Sequence, residues 1–378
     1  MKNIRPAALA IAACASLSGS CTTSDAPPGS FVMPRIGHVF VIVLENKDFS
    51  ETFGPSSTAV YFNRTLIPQG AFLTQYYGIG HNSLDNYIAM LSGQAPNPVT
   101  QSDCQAYQDF NGAPTLDANG QITGQGCVYP TVVMTLADQL QAAGLTWKGY
   151  MEDMGNVPTR ESATCGHPAL NAQDNTQTAQ AGDQYATRHN PFMYFHTIID
   201  SPICAQKDVA LSQLPGDLAT LATTPNYVFI TPNLCNDGHD APCADGQPGG
   251  LISADRFLQK WVPQIQNSPA FQLDGLLMIV FDESDSGSTG GGDDTACCNQ
   301  ASNQGPNSPQ DGIQGPGGGL VGAVFVSPFI KPGTVSSNAY NHYSMLRSVE
   351  DIFGLAHLGY AGLAGLEPFG GDIFASAQ

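Results

Sequence analysis

Blocks of apolar residues alternate with amphipathic blocks along the chain and predict strands and helices in turn. Buried strands are predicted at 38–44 and 226–232, and within LTWKGYME, GLLMIVFDE and LVGAVFVSP. Helical spacing occurs in LDNYIAMLSG, TVVMTLADQLQAAG, SADRFLQKWVPQI and HYSMLRSVEDIFGL, and Pro263 interrupts the third of these. Continuous apolar strands interleaved with helices are typical of a mostly parallel sheet covered on both faces. We therefore predict an α/β fold with helices on both faces of the sheet.

The beginning of the chain has the pattern of an export signal. Lys2 and Arg5 precede a short apolar run and several small residues, so residues 1–20 are predicted to be a signal peptide. The apolar run is too short for a stable membrane span. Cys21 and Cys14 each follow a small residue, as lipid-modified cysteines do, but neither lies in an ideal lipobox. Simple export is the favoured interpretation, and a lipoprotein is the alternative.

The rest of the chain predicts one catalytic domain. Residues 21–35 read as a linker, and residues 36–378 have no repeat and no second hydrophobic pattern that would require another core. Long loop insertions are predicted at 94–130, 155–200 and 284–319. The chain of 378 residues is long enough to bury a sizeable core.

Cysteines and charge limit the compartment and the partners. Apart from Cys14 and Cys21 there are eight cysteines, an even number that predicts disulfides and a secreted or periplasmic protein. Proximity in the sequence favours the pairs 104–127 and 235–243. Because the chain has no C-x-x-C pair, a zinc-thiolate site is not expected. The formal net charge of −19, with no basic stripe, excludes nucleic acid as a partner. An anionic substrate would bind only where local donors or a metal reverse the field.

Polar side chains follow three of the predicted strands. Glu45 and Asn46 end the first strand, the segment 237–240 follows another, and Asp282 and Glu283 end a third. Because the carboxyl ends of parallel strands meet at one edge of a sheet, these oxygens predict a site for a divalent cation. Without a cation, buried carboxylates would repel each other. Each segment alone also fits a solvated turn or a helix cap, and it is the repetition that favours the metal site.

The candidate nucleophile lies in the stretch GIGHNSLDNYIAMLSG. Ser83 stands where a helix begins, so its hydroxyl and the first free N–H groups of the helix point to the same place. This arrangement suits attack on a phosphate group, and Asn86, one turn further, is predicted to donate to a phosphoryl oxygen. The alternative is that Ser83 only caps the helix.

Three histidines accompany these elements. His81, His239 and His342 lie next to a predicted strand end or helix start, where imidazole can bind phosphate or protonate a leaving oxygen. The remaining histidines lack such neighbours and are interpreted as structural: His38, His167, His189, His196 and His357. The Gly/Asp-rich loop 284–319 has no EF-hand spacing, so a solvated insertion is favoured over a calcium site.

Five segments together resemble a known family. VIVLENKDFSETFG, HNSLDNYIAMLSG, TPNLCNDGHD, VFDESD and NHYSMLRSVEDIFGL occur in this order between about residues 36 and 356. They resemble the bacterial phosphoesterase family of secreted acid phosphatases and phospholipases C, which is related to the alkaline phosphatase superfamily.

The resemblance implies an alkaline-phosphatase-like fold, a three-layer α/β/α sandwich with a mostly parallel central sheet, and one divalent metal ion of unknown identity. The metal ligands it implies are Glu45, Asn46, Ser83, Asp282 and Glu283. Ser83 would be the nucleophile that forms a phosphoserine. The residues that would hold or protonate the phosphoryl group are His81, Asn86, His239 and His342, with Asp237 and Asp240 as further candidates. Family members with phospholipase C activity are commonly longer than this chain, whose compact length is more similar to that of the acid phosphatases.

The predicted function is that of a secreted, metal-dependent phosphomonoesterase. Its substrate would be a small phosphomonoester or a phospholipid headgroup, and membrane contact is expected only if the protein is lipid-anchored or acts on lipid. One alternative is a phosphodiesterase of the phospholipase C type. A Ser-His-Asp carboxylesterase is disfavoured because no G-x-S-x-G elbow surrounds Ser83. The non-enzyme alternative is a surface-binding protein whose carboxylates bind calcium and thereby stabilise the fold.

Overall fold

The structure is a computed structural model that describes residues 31–285, 292–298, 300 and 317–376. The described residues from 32 onward form one compact unit. The predicted signal peptide, Cys14, Cys21 and part of the loop 284–319 lie outside the described residues. Within the described ranges, no helix combines the length and the apolar character that crossing a membrane requires.

A central sheet of eight strands organises the fold. The strands of the described chain are β1 (His38–Leu44), β2 (Ala71–Leu73), β3 (Tyr76–Tyr77), β4 (Asn111–Leu116), β5 (Ile122–Gln125), β6 (Trp147–Met151), β7 (Asp208–Ala210), β8 (Tyr227–Thr231), β9 (Gly275–Phe281), β10 (Ala323–Val326), β11 (Thr334–Ser336) and β12 (Tyr340–Asn341). The order across the sheet is β11-β2-β10-β9-β1-β8-β6-β7. β1 lies between β9 and β8 and is parallel to both, and every residue of β1 is buried.

The sheet is mostly parallel, as the sequence predicts. Its exception is β10, which pairs antiparallel with both β9 and β2. β2, β7 and β11 have three residues each, too few for a hydrophobic pattern to reveal them. The insertion 94–130 contains the hairpin of β4 and β5, and every residue of β4 is exposed.

Helices flank the sheet, and those that follow the predicted spacing lie where the sequence places them. The α-helices are α1 (Phe49–Phe53), α2 (Ile67–Gln69), α3 (Ser83–Ser92), α4 (Leu136–Ala142), α5 (His196–Ile199), α6 (Cys204–Lys207), α7 (Leu214–Asp217), α8 (Gly250–Gln266), α9 (Pro269–Asp274) and α10 (His342–Phe353). The prediction that Pro263 interrupts its helix is wrong. Pro263 lies inside α8 near its end, where it removes only its own amide donor while its carbonyl still accepts from Asn267.

Aromatic contacts define the two faces of the sheet. Phe40 of β1 packs against Phe271 of α9, and Phe229 of β8 packs against Tyr87 of α3. Phe40 is in register with Val228, the neighbour of Phe229, so Phe40 and Phe229 point to opposite faces. α9 and α3 therefore cover opposite faces, which confirms the three-layer sandwich.

All eight described cysteines form disulfides. The pairs are Cys104–Cys127, Cys165–Cys204, Cys235–Cys243 and Cys297–Cys298. The first and third are the two pairs that sequence proximity favours. They fix the long loops that border the carboxyl end of the sheet.

Candidate active site

The carboxyl ends of β9, β1 and β8 remain connected beyond the strands themselves. The Asp282 amide donates to the Leu44 carbonyl at 2.9 Å, and the Glu45 amide donates to the Asp237 carbonyl at 2.9 Å. The Lys47 amide donates to the Glu283 carbonyl at 3.2 Å. These bonds bring the three acidic strand ends to one edge of the sheet, as the sequence predicts.

Ser83 meets this edge from α3. It is the first residue of the helix, after Asn82 at the N-cap, and is 3% exposed. Its hydroxyl donates to Glu45 Oε2 at 2.7 Å, while the hydroxyl of Tyr87, one turn further along α3, donates to Glu45 Oε1 at 2.5 Å. Both oxygens of Glu45 are thus held by the first part of one helix.

The side-chain amide of Asn46 lies between Glu45 and Asp282. One terminal atom of its amide lies 2.9 Å from Glu45 Oε2 and 3.2 Å from Asp282 Oδ1. If that atom is nitrogen, it donates to both carboxylates. If it is oxygen, four oxygens follow one another at spacings of 2.7, 2.9 and 3.2 Å, from Ser83 through Glu45 and Asn46 to Asp282. Ligand oxygens about 3 Å apart are those that surround a small octahedral cation at about 2.1 Å.

The charges of this edge need a cation for balance. Glu45, Asp237, Asp282 and Glu283 are completely or almost completely buried. Burial raises the pKa of Asp237 to about 8 and that of Asp282 to about 6. Burial, followed by the charges of Asp282 and Asp237, raises the pKa of Glu45 well above its ordinary value. Adjacent carboxylates that cannot all ionise in isolation are a suitable setting for a divalent ion.

Unpartnered oxygens support the same interpretation. Asp282 Oδ1 accepts from the amides of Asn46 and Glu283, whereas its Oδ2 is buried without a hydrogen-bond partner among the described residues. Asp237 Oδ1 accepts from the His239 amide, and its Oδ2 likewise has no hydrogen-bond donor there. Buried oxygens without donors are rare unless a water or an ion satisfies them. The donor set therefore fits a divalent metal ion.

Glu283 is held by the loop that precedes α3. His81 Nδ1 lies 2.8 Å from Glu283 Oε2, and the Asn82 amide lies 3.1 Å from Oε1 and 3.0 Å from Oε2. Burial, together with the charge of Asp282, raises the pKa of Glu283 well above its ordinary value. His81 is buried against this carboxylate, and burial lowers its pKa. His81 therefore orients Glu283, and its contact with substrate stays a prediction.

Asn86 and His342, which are also predicted to contact substrate, make hydrogen bonds within the protein. Asn86 Oδ1 accepts from the amides of Ile79 and Gly80, and its Nδ2 donates to the carbonyls of Gly80 and Asn82, so it shapes the loop before Ser83. His342 is completely buried, with Nε2 2.6 Å from the Asp282 carbonyl and Nδ1 3.0 Å from the Tyr76 hydroxyl. The polar atoms of both side chains thus have partners within the protein, and contact of these two residues with a phosphoryl group stays a prediction.

His239 is the most accessible of the predicted histidines. Its side chain is 35% exposed, and Nδ1 lies 2.8 Å from Asp240 Oδ1, while Nε2 has no partner among the described residues. Burial lowers the pKa of His239, but the hydrogen bond to Asp240 and the charge of Asp237 outweigh it and raise the pKa above its ordinary value. The free Nε2 of His239 is therefore available to a ligand at this edge.

His189, interpreted from the sequence as structural, belongs to the acidic edge. Its Nε2 lies 3.4 Å from Glu45 Oε2 and its Nδ1 lies 3.3 Å from Asp237 Oδ2, so the ring bridges two carboxylates. The ring stacks on Tyr87 with centroids 5.3 Å apart. Sequence reasoning missed it because no predicted strand end is adjacent. The available signal was the polar trio Arg188-His189-Asn190 directly before the apolar run PFMYF.

Similarity to known proteins shows the family and the fold of the chain. The sequence model of the Phosphoesterase family matches residues 58–356, and the chain belongs to that family. In structure, it is similar to a protein of the alkaline phosphatase superfamily from Vibrio parahaemolyticus, with a TM-score of 0.52 and 12% identity over 92% of this chain and 76% of that one. This similarity shows the alkaline-phosphatase-like fold.

Two named relatives are similar in sequence to most of this chain. A phosphate-repressible acid phosphatase of Penicillium chrysogenum is 24% identical over 84% of this chain and 59% of its own length. A phosphatidylinositol-3-phosphatase of Mycobacterium tuberculosis is 24% identical over 87% of this chain and 81% of its own length. The chain thus spans less than two thirds of the fungal relative.

Proposed function

We propose that this protein is a metal-dependent phosphomonoesterase that forms a phosphoserine on Ser83. The observation that carries the proposal is the hydrogen bond from the Ser83 hydroxyl to Glu45 Oε2, among the buried side chains of Glu45, His189 and Asp237, which could hold a divalent cation. Membership of the Phosphoesterase family and relatives that are named as phosphatases support the same reaction class.

The cation would be held by Glu45, Asn46, Ser83 and Asp282, with Glu283 beside them. When bound, it would lower the pKa of the serine hydroxyl and offset the charge of the phosphoryl group. Its identity is open, since oxygen ligands suit magnesium, manganese or calcium.

The first chemical step is attack by Ser83 Oγ on the phosphorus atom of the monoester. A new O–P bond forms on Ser83 while the bond to the leaving oxygen breaks. Glu45 Oε2, 2.7 Å from the serine oxygen, is in place to accept the hydroxyl proton. The dipole of α3, whose N-terminus lies at Ser83, stabilises the phosphoryl oxygens.

His239 is the proton donor to the leaving oxygen in this proposal. Its free Nε2, its exposure and its raised pKa support this role. In the second step, water attacks the phosphoserine, and the neutral imidazole left by the first transfer accepts the proton of that water. The bond between phosphorus and Ser83 Oγ breaks, the proton that Glu45 accepted in the first step returns to Ser83 Oγ, and inorganic phosphate is released.

We propose that the reaction takes place outside the cytoplasm. The disulfides of the described chain support an oxidising compartment. A small phosphomonoester or a phosphorylated lipid headgroup remains the proposed substrate class, for which the name of the mycobacterial relative gives one precedent.

The experiment compares hydrolysis of p-nitrophenyl phosphate and p-nitrophenylphosphocholine by the purified protein. Each substrate is assayed as purified, after chelation, and after addition of single divalent metals. Cleavage of the monoester that chelation abolishes and a metal restores supports the proposal. Preference for the choline diester would instead assign a phosphodiesterase of the phospholipase C type. Metal-dependent stability without hydrolysis of either substrate would favour the surface-binding alternative.

A further inference from the structure

Cys297 and Cys298 form a disulfide between two neighbouring residues of the chain. The other three disulfides join cysteines that are 23, 39 and 8 residues apart. A disulfide stabilises a fold mainly by restricting the unfolded chain, and this effect grows with the length of the loop that it closes. Closure between adjacent residues restricts the unfolded chain very little, so stability is a poor explanation for the Cys297–Cys298 bond.

A bond between adjacent cysteines is also easier to reduce than an ordinary disulfide. Consecutive Cα atoms lie about 3.8 Å apart, whereas disulfides usually join Cα atoms about 4.4–6.8 Å apart. Both cysteines of this pair are half-buried, so a thiol can reach them from solvent. Disulfides that are strained or exposed are more oxidising than structural ones and exchange more readily with thiols. The pair therefore has the chemistry of an exchange site.

The disulfide lies against the segments that lead into α3 and α10. Cys298 packs against a cluster that includes Ile79, in the loop just before α3. Cys297 Sγ lies 3.3 Å from the carbonyl of Tyr340, in the strand β12 just before α10. Since α3 begins with the candidate nucleophile, a change at this disulfide can reach the candidate active site through a short stretch of chain.

Residues on either side of the disulfide hold the loop that precedes α3. Gln300 Nε2 donates to the Ile79 carbonyl at 2.8 Å. Burial lowers the pKa of His81, and a hydrogen bond with the backbone of Asp293 raises it in part. His81 in turn contacts Glu283 at 2.8 Å. The segment that carries the disulfide thus fixes both the backbone of this loop and the histidine that orients Glu283.

Cys298 has a backbone conformation that residues other than glycine disfavour. Its φ angle is 65°, in the left-handed region, where the Cβ atom of an L-residue crowds its own backbone. The Gln300 amide donates to the Cys297 carbonyl at 3.0 Å, so this turn sets where the Gln300 side chain lies. When the disulfide opens, Cys298 can return to a favoured conformation, and the contact between Gln300 and Ile79 should loosen.

We propose that Cys297–Cys298 is a thiol–disulfide exchange site whose reduction lowers hydrolysis at Ser83. One thiolate of an external dithiol attacks a sulfur atom of the pair, so that a mixed disulfide forms and the Cys297–Cys298 bond breaks. The second thiolate of the reagent attacks the mixed disulfide, releases the cysteine and leaves the reagent as a disulfide. Two electrons and two protons have then passed from the reagent to the two cysteines, and a disulfide reagent reverses the reaction. This inference rests on the proposed function, since it concerns regulation of that site.

The experiment exposes the folded protein, with magnesium chloride in excess, to increasing concentrations of dithiothreitol. Free thiols are alkylated and located by mass spectrometry, kcat is measured for p-nitrophenyl phosphate, and hydrogen exchange is measured for residues 77–92. The double variant with Cys297→Ser and Cys298→Ser lacks the exchange site. The double variant with Cys165→Ser and Cys204→Ser is the matched control, because it lacks a disulfide that closes a long loop.

In the parent, Cys297 and Cys298 should be reduced at a dithiothreitol concentration at least about 10-fold below that required for the other pairs. Their reduction should lower kcat by about 10-fold or more, because small displacements next to a nucleophile are costly. Hydrogen exchange of residues 77–92 should rise, and oxidised dithiothreitol should reverse both effects.

The two double variants should behave differently. The variant with Cys297→Ser and Cys298→Ser should have the low kcat from the outset, should not respond to dithiothreitol, and should melt close to the parent. The variant with Cys165→Ser and Cys204→Ser should melt at a lower temperature and keep the response to dithiothreitol.

An unchanged kcat while Cys297 and Cys298 are reduced would overturn the inference, as would reduction of this pair only after the other pairs. A loss of kcat that dithiothreitol also causes in the Cys297→Ser and Cys298→Ser variant would overturn it too, because the reagent would then act on another group. If the parent hydrolyses no monoester, the proposed function fails, and hydrogen exchange still decides this inference. A rise in exchange on reduction would support an exchange site that controls the loop before α3, and no rise would overturn it.

Discussion

The hydroxyl of Ser83 donates to Glu45 Oε2 at 2.7 Å, although 38 residues separate the two in sequence. β1 ends directly before Glu45, and α3 begins at Ser83, so the bond joins the carboxyl end of a strand to the amino end of a helix. An anionic ligand can bind at the carboxyl end of a strand through a cation held there, and at the amino end of a helix through its backbone amides.

Ser83→Ala should reduce phosphomonoester hydrolysis by at least about 1,000-fold, because the nucleophile is lost. The free energy of unfolding should change by only about 1 kcal/mol, the contribution of one hydrogen bond. Steady-state assays and urea denaturation check both values. Ser92→Ala is the matched control, since Ser92 lies in the same helix and its hydroxyl donates to the Ile88 carbonyl. Retained turnover in Ser83→Ala would remove Ser83 from the mechanism.

Tyr87→Phe should lower kcat by about 10-fold while the ring remains stacked on His189. The hydroxyl holds Glu45 Oε1 at 2.5 Å, and a hydrogen bond to a charged group contributes about 1.5–3 kcal/mol. Tyr343→Phe is the control, because the Tyr343 hydroxyl is also buried but contacts the Gln94 carbonyl. Equal kcat values for the two variants would contradict a special role for Tyr87.

Divalent metal should stabilise the protein, and Asp282→Asn should remove most of that effect. The pKa of Asp282 is raised to about 6, above the ordinary value of about 4. In metal-free protein, this group therefore favours folding below about pH 4 and loses its contribution as the pH rises through 6. Added metal should raise the melting temperature at pH 7.5 and have little effect at pH 4.5, where protons compete for the ligands.

Thermal melts with and without chelator measure this effect. Asp217→Asn serves as the control, since Asp217 pairs with Lys148 at 2.7 Å. A melting temperature that metal raises equally in Asp282→Asn and in the parent would place the ion elsewhere.

His239→Ala should affect poor leaving groups most. With phenyl phosphate, kcat should fall by about 100-fold or more, whereas p-nitrophenyl phosphate should lose less, because p-nitrophenolate leaves without protonation. The alkaline limb of the pH profile should also disappear, since it reports loss of the imidazole proton. His357→Gln is a control, as His357 pairs with Asp351 on another surface. An equal loss for both substrates would argue against proton donation.

Asp208, which is not part of the acidic edge, should make the stability of the protein depend on pH. It is completely buried, its Oδ1 accepts from Asn190, and burial raises its pKa to about 8. Because the folded-state pKa is raised, the contribution to stability is present below about pH 4 and is lost as the pH rises through 8. Stability should fall by about 1.4 kcal/mol per pH unit over this interval through Asp208.

Asp208→Asn should remove that component and make the protein more stable than the parent at pH 8. Urea denaturation at several pH values measures the slope. A variant that is less stable than the parent at pH 8 would contradict the assignment.

Much of the fold follows from local patterns in the sequence. β1, β8 and β9 are long and continuously apolar, so their places and the acidic residues that follow them can be predicted. β2, β7 and β11 cannot, because three residues do not establish a period. Their places depend on pairing with strands that are distant in the sequence.

The candidate site divides in the same way. Glu45 and Asp282 are predictable because each directly follows a strand whose direction is set by parallel pairing. His189 is not, since it reaches the edge through a short 3₁₀ turn inside the long insertion 155–200. His342 lies beside the right element, but sequence cannot tell that its ring contacts the carbonyl of Asp282.

The central claim is most directly tested by trapping the phosphoryl group on the protein. The parent is mixed with p-nitrophenyl phosphate in the presence of the activating metal, quenched in acid within one turnover, and digested for mass spectrometry. The proposal predicts one phosphoryl group on the peptide that contains Ser83, formed and lost at rates compatible with kcat. Full turnover without phosphorylation of Ser83 at any quench time would contradict it.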